Sequence, residues 1–168
     1  MITRKYIAIL LIFVSFDVFA GKTEEVFADW HVLTNIEGGQ KICYIASISQ
    51  EEQGNFKKRS DPYLLVSKFL GREPEVSVSS GYPYKLGDDV EFKVTDYQQQ
   101  EKKYNLRKIH GELAWAETSK LDQEIIAGFK RGKILVVKGV SGKGTYSLDS
   151  YSLSGFTKAY AKMMSLCQ

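Results

Sequence analysis

Val26-Phe27-Ala28-Asp29-Trp30-His31-Val32, then Glu37-Gly38-Gly39-Gln40, then Lys41-Ile42-Cys43-Tyr44-Ile45-Ala46-Ser47-Ile48, is the stretch whose reading decides the fold. Val26, Ala28, Trp30 and Val32 share one parity, and Ile42, Tyr44, Ala46 and Ile48 share another. Side chains alternate across a strand, so two such runs around a Gly-Gly turn predict an antiparallel hairpin. The same period recurs farther along the chain. Val76 and Val78 alternate with Ser77 and Ser79, and Val90, Phe92 and Val94 alternate with Glu91 and Lys93. Leu64-Leu65-Val66 and Ile134-Leu135-Val136-Val137 are unbroken apolar runs, expected to be strands covered on both faces. The expected fold class is mainly β, a single antiparallel sandwich-like domain.

Two segments have a helical period instead. Leu121, Ile125 and Phe129 recur every four residues behind Ser119 and Asp122, which resemble a capping box, and Lys130-Arg131-Gly132 supplies basic residues and a terminating glycine. The tail from Ser154 places Phe156, Ala159, Tyr160, Met163 and Cys167 along one face. Two short amphipathic helices are therefore expected, the second presenting Cys167 to the core.

The N-terminus carries a different signal. Arg4 and Lys5 precede an apolar run from Ile7 to Phe16, Asp17 closes it, and Val18-Phe19-Ala20 offers a small residue before a cut. This is the pattern of a secretory signal spanning residues 1–20, too short and too soon interrupted for a membrane anchor. Residues 21–168 would then form one exported domain, with no transmembrane segment after cleavage. Gly21, in place of a cysteine, argues against a lipoprotein. The chain has 168 residues with 23 basic against 20 acidic, a net charge of +3, which is too near neutral for a nucleic-acid surface. Cys43 and Cys167 are its two cysteines. In an oxidising compartment the even count makes one disulfide the leading reading, with two buried thiols as the alternative. A bridge would enclose nearly the whole domain, worth roughly 5 kcal/mol by chain entropy.

Gln50 to Asp61 is polar and contains Gly54 and Lys57-Lys58-Arg59, so it is expected to be a mobile surface loop. Lys57, Lys58 and Arg59 are the candidate partner-binding loop, suited to an anionic lipid, glycan or protein patch. The opposing reading is an ordinary solvated loop. Asp96 to Lys103 is expected to be a second exposed connection.

Catalytic patterns are weak. Asp29 and His31 share a strand face, but exposed residues opposite a buried Trp30 explain them as well, and two separated histidines without HxH, HxxxH or CxxC spacing give no zinc site. No catalytic residue, metal or cofactor is assigned. Asp61 and Asp88-Asp89 are the acidic groups that a carboxylate enzyme would use, although Asp88-Asp89 after Gly87 also reads as a turn. Gly139-Val140-Ser141-Gly142-Lys143-Gly144-Thr145 imitates a phosphate-binding loop. The first glycine of that motif would fall on Val137, and Tyr146 and Leu148 continue as a strand where the motif needs a helix, so Ser141 to Gly144 is expected to be a tight hairpin turn.

Asp29-Trp30, Lys41-Ile42-Cys43-Tyr44-Ile45, Pro62-Tyr63-Leu64-Leu65-Val66-Ser67 and Tyr151-Ser152-Leu153-Ser154-Gly155-Phe156-Thr157-Lys158-Ala159 before Cys167 form an ordered set. With the export signal, it resembles the invasion-associated locus B family of alphaproteobacteria over nearly the whole mature chain. The resemblance implies a Gram-negative, exported protein, periplasmic, outer-envelope-associated or secreted, with an essentially β fold. It also implies a virulence role in entry into host cells, no established catalytic residues, and a two-cysteine pattern falling on Cys43 and Cys167. The expected function is non-enzymatic binding of a protein or an envelope or host-surface partner. Its rivals are a periplasmic carboxylate enzyme and a structural envelope protein without a host ligand.

Overall fold

The computed structural model describes residues 22–168, so the expected export segment, Met1–Ala20, lies outside the described residues. Twelve strands and two helices are seen among the described residues. In chain order they are β1 (Lys22–Phe27), β2 (Trp30–Glu37), β3 (Gln40–Ile48), β4 (Glu51–Gly54), β5 (Tyr63–Phe69), β6 (Glu75–Ser79), β7 (Val90–Asp96), β8 (Glu101–Leu106), β9 (Lys108–His110), β10 (Leu113–Trp115), α1 (Ser119–Arg131), β11 (Gly132–Val140), β12 (Tyr146–Ser152) and α2 (Phe156–Leu166). A seven-stranded sheet runs β1-β2-β3-β5-β6-β10-β9, and a five-stranded sheet runs β4-β12-β11-β7-β8, with every pairing antiparallel. The mainly antiparallel fold with two helices is as expected.

The Gly38-Gly39 hairpin forms as its sequence dictates, both glycines taking the positive φ that a tight primed turn needs, and Glu37 pairs with Gln40. The middle of β3 is covered on both faces. Cys43 and Ile45 join Trp30 and Val32 in the core between the sheets, Ile42 and Ala46 of the expected set are buried on the other face, and Ile48 stays exposed. The alternating run from Val26 to Val32 is in fact split between two strands, because the chain turns at Ala28-Asp29 and pairs Phe27 with Trp30. Asp29 is thus in a turn and shares no strand face with His31. The apolar runs are covered on one side only. Leu64 and Val66, and likewise Leu135 and Val137, are buried, whereas Leu65 and Val136 are partly open and Ile134 is exposed. Asp96 to Lys103 is not all loop, since β8 begins at Glu101 and only a short turn joins it to β7.

The helices close the space between the sheets. Thr118 caps α1, one residue earlier than expected, its hydroxyl accepting the Leu121 N–H at 3.2 Å. Asp122 accepts the Val76 N–H at 2.8 Å and so ties α1 to β6. Gly132 is extended, without the left-handed turn of a terminating glycine; it is needed for room, since a Cβ there would run into Leu153 and Val94. On α2, Phe156, Ala159, Met163 and Cys167 are buried as the period requires. Phe156 packs edge-on against Trp30 at 4.9 Å and against Phe129 at 5.3 Å. Gly155 makes this possible. It has φ +86°, and a side chain would meet the Phe27 carbonyl. Cys43 and Cys167 are bonded, with Cα atoms 5.9 Å apart, inside the ordinary range for a disulfide. The bridge pins the end of α2 to β3.

Candidate functional site

The expected mobile loop from Gln50 to Asp61 is largely built into the domain. Its first part is β4, hydrogen-bonded to β12 at the edge of the smaller sheet. The three consecutive basic residues then separate. Lys57 and Lys58 are exposed, but the Arg59 side chain is only 3% accessible. Its guanidinium donates two bonds to the fully buried Asp149, one to Glu52 at 2.8 Å and one to the Ser80 carbonyl at 2.9 Å. Burial alone would lower the Arg59 pKa; the bonds from Asp149 and Glu52 outweigh it and hold the guanidinium charged. Treating the triplet as one solvated unit is corrected here: Arg59 is a structural ion-pair residue.

The residues around this ion pair form a buried polar network. Ser147 donates to Asp149 at 3.0 Å, which leaves its oxygen to accept the Tyr82 hydroxyl at 2.8 Å. Tyr84 and Ser80 share a second hydroxyl bond at 2.8 Å. Burial raises the pKa of both tyrosines and of Tyr151, so all three stay protonated at neutral pH. The inward parity of β12 is thus Ser147, Asp149 and Tyr151, and Tyr146 points out. Arg59 also lies 4.0 Å above the Phe56 ring and 5.9 Å from the Tyr82 ring. Those two aromatics are held from behind by a buried cation.

Phe56 and Tyr82 also line an open cleft of about 660 Å³. Asn55 to Lys58 form one wall, Gly81-Tyr82-Pro83 the base, and Ser141-Gly142-Lys143 with Thr145 the other wall. Asn55 ties the first wall to β12, its amide oxygen accepting the Tyr146 N–H at 2.7 Å. Gly142 ties the second to the base by donating to the Pro83 carbonyl at 3.0 Å. The base needs glycine at position 81, where φ is +71° and a Cβ would strike the Ser60 carbonyl. Lys57, Lys58 and Lys143 stand exposed on the rim.

The 141–145 turn is a hairpin turn between β11 and β12, as expected. Its amides are spent internally. Lys143 and Thr145 donate to the Ser141 hydroxyl, each at 3.2 Å, and Gly144 donates to the Ser141 carbonyl at 2.8 Å. No phosphate cradle remains, so any anion here would be met by lysine ammonium groups.

The acidic candidates do not converge. Asp88 pairs with Lys85 at 3.1 Å, Asp89 pairs with Arg107 at 3.0 Å, and Asp61 is exposed on a separate segment. Of the sequence-predicted site residues, the cleft gathers Lys57 and Lys58, and it adds Lys143, Phe56 and Tyr82, which the sequence reading left out. One sequence signal pointed to the network behind it: Asp149 has the same strand parity as the inward Tyr151, and an acid there needs a cation.

A family model described as "Invasion associated locus B (IalB) protein" matches residues 30–164. A search of curated proteins finds no match. Among solved structures, the chain is similar to the crystal structure of invasion associated protein b from Bartonella henselae. The TM-score is 0.56 at 17% identity, over 84% of this chain and 95% of that one. That likeness is one of fold.

Proposed function

Since the chain belongs to the invasion associated locus B family, we propose that this invasion-associated-type protein is an exported, non-enzymatic binding protein of the bacterial envelope whose binding site is the cleft between residues 55–58, 81–83 and 141–145. The carrying observation is the meeting of two sequence-distant loops around one concave, aromatic-based cleft on a rigid frame. Three features support the reading. The Tyr82 and Ser147 hydroxyls and the Asp149 and Glu52 carboxylates are engaged in structural hydrogen bonds and ion pairs, a disulfide suits an oxidising compartment, and no helix among the described residues is long and apolar enough to cross a membrane.

Gly142 gives a direct test. A Cβ there meets nothing closer than the Pro83 carbonyl at 4.0 Å, so Gly142→Trp has room at Cβ to direct an indole at the cleft, and a thermal melt checks that the frame is kept. In a strain lacking the gene, the wild-type chain is expected to restore host-cell entry and to appear in the periplasmic extract with its N-terminus near Gly21. The Gly142→Trp chain is expected to be exported equally and to leave entry unrestored. Full restoration by the filled variant would remove the cleft from the function, and a chain retained in the cytoplasm with Met1 to Ala20 intact would remove export.

A further inference from the structure

We propose that the cleft takes a small amphiphilic anion, an acid group carried on an aromatic or alkyl body; this rests on the reading of the cleft as the binding site. The rim supplies the charge. Lys57, Lys58 and Lys143 are exposed, and none has an acidic partner among the described residues. Asp149 and Glu52 are both turned toward Arg59 and neutralised there. The cleft therefore carries an uncompensated positive rim.

The base supplies the apolar half. The Tyr82 hydroxyl is committed to Ser147, and the Ser141 hydroxyl already serves two amides and Thr145. What remains for a ligand is apolar surface from the half-buried Phe56 ring and the exposed Pro83, with the narrow edge of Tyr82 that its burial leaves open. An inorganic anion would leave that surface wet, and a neutral hydrocarbon would leave three ammonium groups unmatched. A molecule with both parts satisfies both.

Size and surroundings favour a small molecule over a polymer. About 660 Å³ is within the range of ordinary ligand pockets. An acidic peptide continuing out of the cleft along the open edge of β4 would run beside the exposed Glu51. Flexible lysine stems also fit acids of differing shape, since they impose no fixed fork on the anion.

A matched pair of dyes tests the proposal: 8-anilinonaphthalene-1-sulfonate, and N-phenyl-1-naphthylamine, which has the same rings without the sulfonate. Each is titrated by fluorescence into the folded mature protein, into the K57Q/K58Q/K143Q variant and into Gly142→Trp, with thermal melts confirming equal folding. The sulfonate is expected to bind one-to-one and about tenfold more tightly than the neutral amine, the sum of three partly exposed charge contacts. The lysine variant should lose that tenfold and bind the amine unchanged, and Gly142→Trp should lose both dyes. Equal affinity for the two dyes, or sulfonate binding unaltered in the lysine variant, overturns the anionic ligand while leaving a cleft that binds. Failure of both dyes to bind, or binding that survives Gly142→Trp, overturns the cleft itself.

Discussion

Arg59→Ala removes a cation that the fold has enclosed and leaves Asp149, fully buried, with one hydrogen bond from Ser147. Stranding one member of a buried ion pair typically costs about 3–5 kcal/mol, and the lost stacking on Phe56 adds about 1 kcal/mol. An expected loss of about 4–6 kcal/mol is a large part of the stability of an ordinary domain, about 5–15 kcal/mol. At roughly 2–4 °C per kcal/mol for a chain of this size, the melting point should fall by about 8–24 °C. Urea and thermal unfolding read both numbers. Lys57→Ala/Lys58→Ala is the internal control and should stay within about 0.5 kcal/mol of wild type. If Arg59→Ala does not fold, Arg59→Met/Asp149→Asn removes both charges and should recover at least half the loss. An Arg59→Ala protein as stable as the lysine control would refute the buried ion pair.

Cys43→Ser and Cys167→Ser should each lower stability by about 2–5 kcal/mol and by the same amount as each other, with loss of protection in α2 first by hydrogen exchange; two alkylatable thiols in native oxidised protein would contradict the bond. Burial raises the Asp122 carboxyl pKa despite its bond from Val76, so the folded chain holds its proton more tightly than the unfolded chain does. Stability from this group is then present below the unfolded pKa and falls as pH rises through the folded one. Asp122→Asn, which keeps an acceptor for the Val76 N–H, should flatten that fall across urea melts from about pH 4 to 8, whereas Asp122→Ala should cost about 1–3 kcal/mol by orphaning the amide; an Asn variant no more stable than the Ala variant would count against this. Gly155→Ala should cost at least about 1–2 kcal/mol from the left-handed backbone alone, with more from the Phe27 contact; a neutral melt would show that the turn into α2 can relax.

Local rules carried much of the fold. The period-2 runs, the Gly38-Gly39 turn and the four-residue spacing of α1 and α2 are properties of neighbouring residues, and they were legible because each element must hide one face whatever it packs against. The placement of Cys167 on the inner face of α2 followed from the same spacing. What misled was side-chain chemistry at positions where tertiary partners override it. Ser147 and Asp149 look like an outward face, yet they point inward because Arg59, 90 residues away, enters between the sheets to meet them. Val26, Ala28, Trp30 and Val32 alternate in sequence without a break, but the two-residue turn inverts the parity: Phe27 pairs with Trp30 and Val26 with His31, so Phe27 packs against the core and Val26 is exposed. The short strands β4, β8, β9 and β10 carry too few apolar residues to announce themselves and exist because a neighbouring strand offers hydrogen bonds. The cleft belongs wholly to this second kind. Lys57-Lys58 and Lys143 are separated by most of the domain in sequence, and only the pairing of β4 with β12 brings their loops to the same end of one sheet. Periodicity reports which way a residue faces within its own element; it contains nothing about which distant loop will stand opposite, and a binding site is made of that second fact.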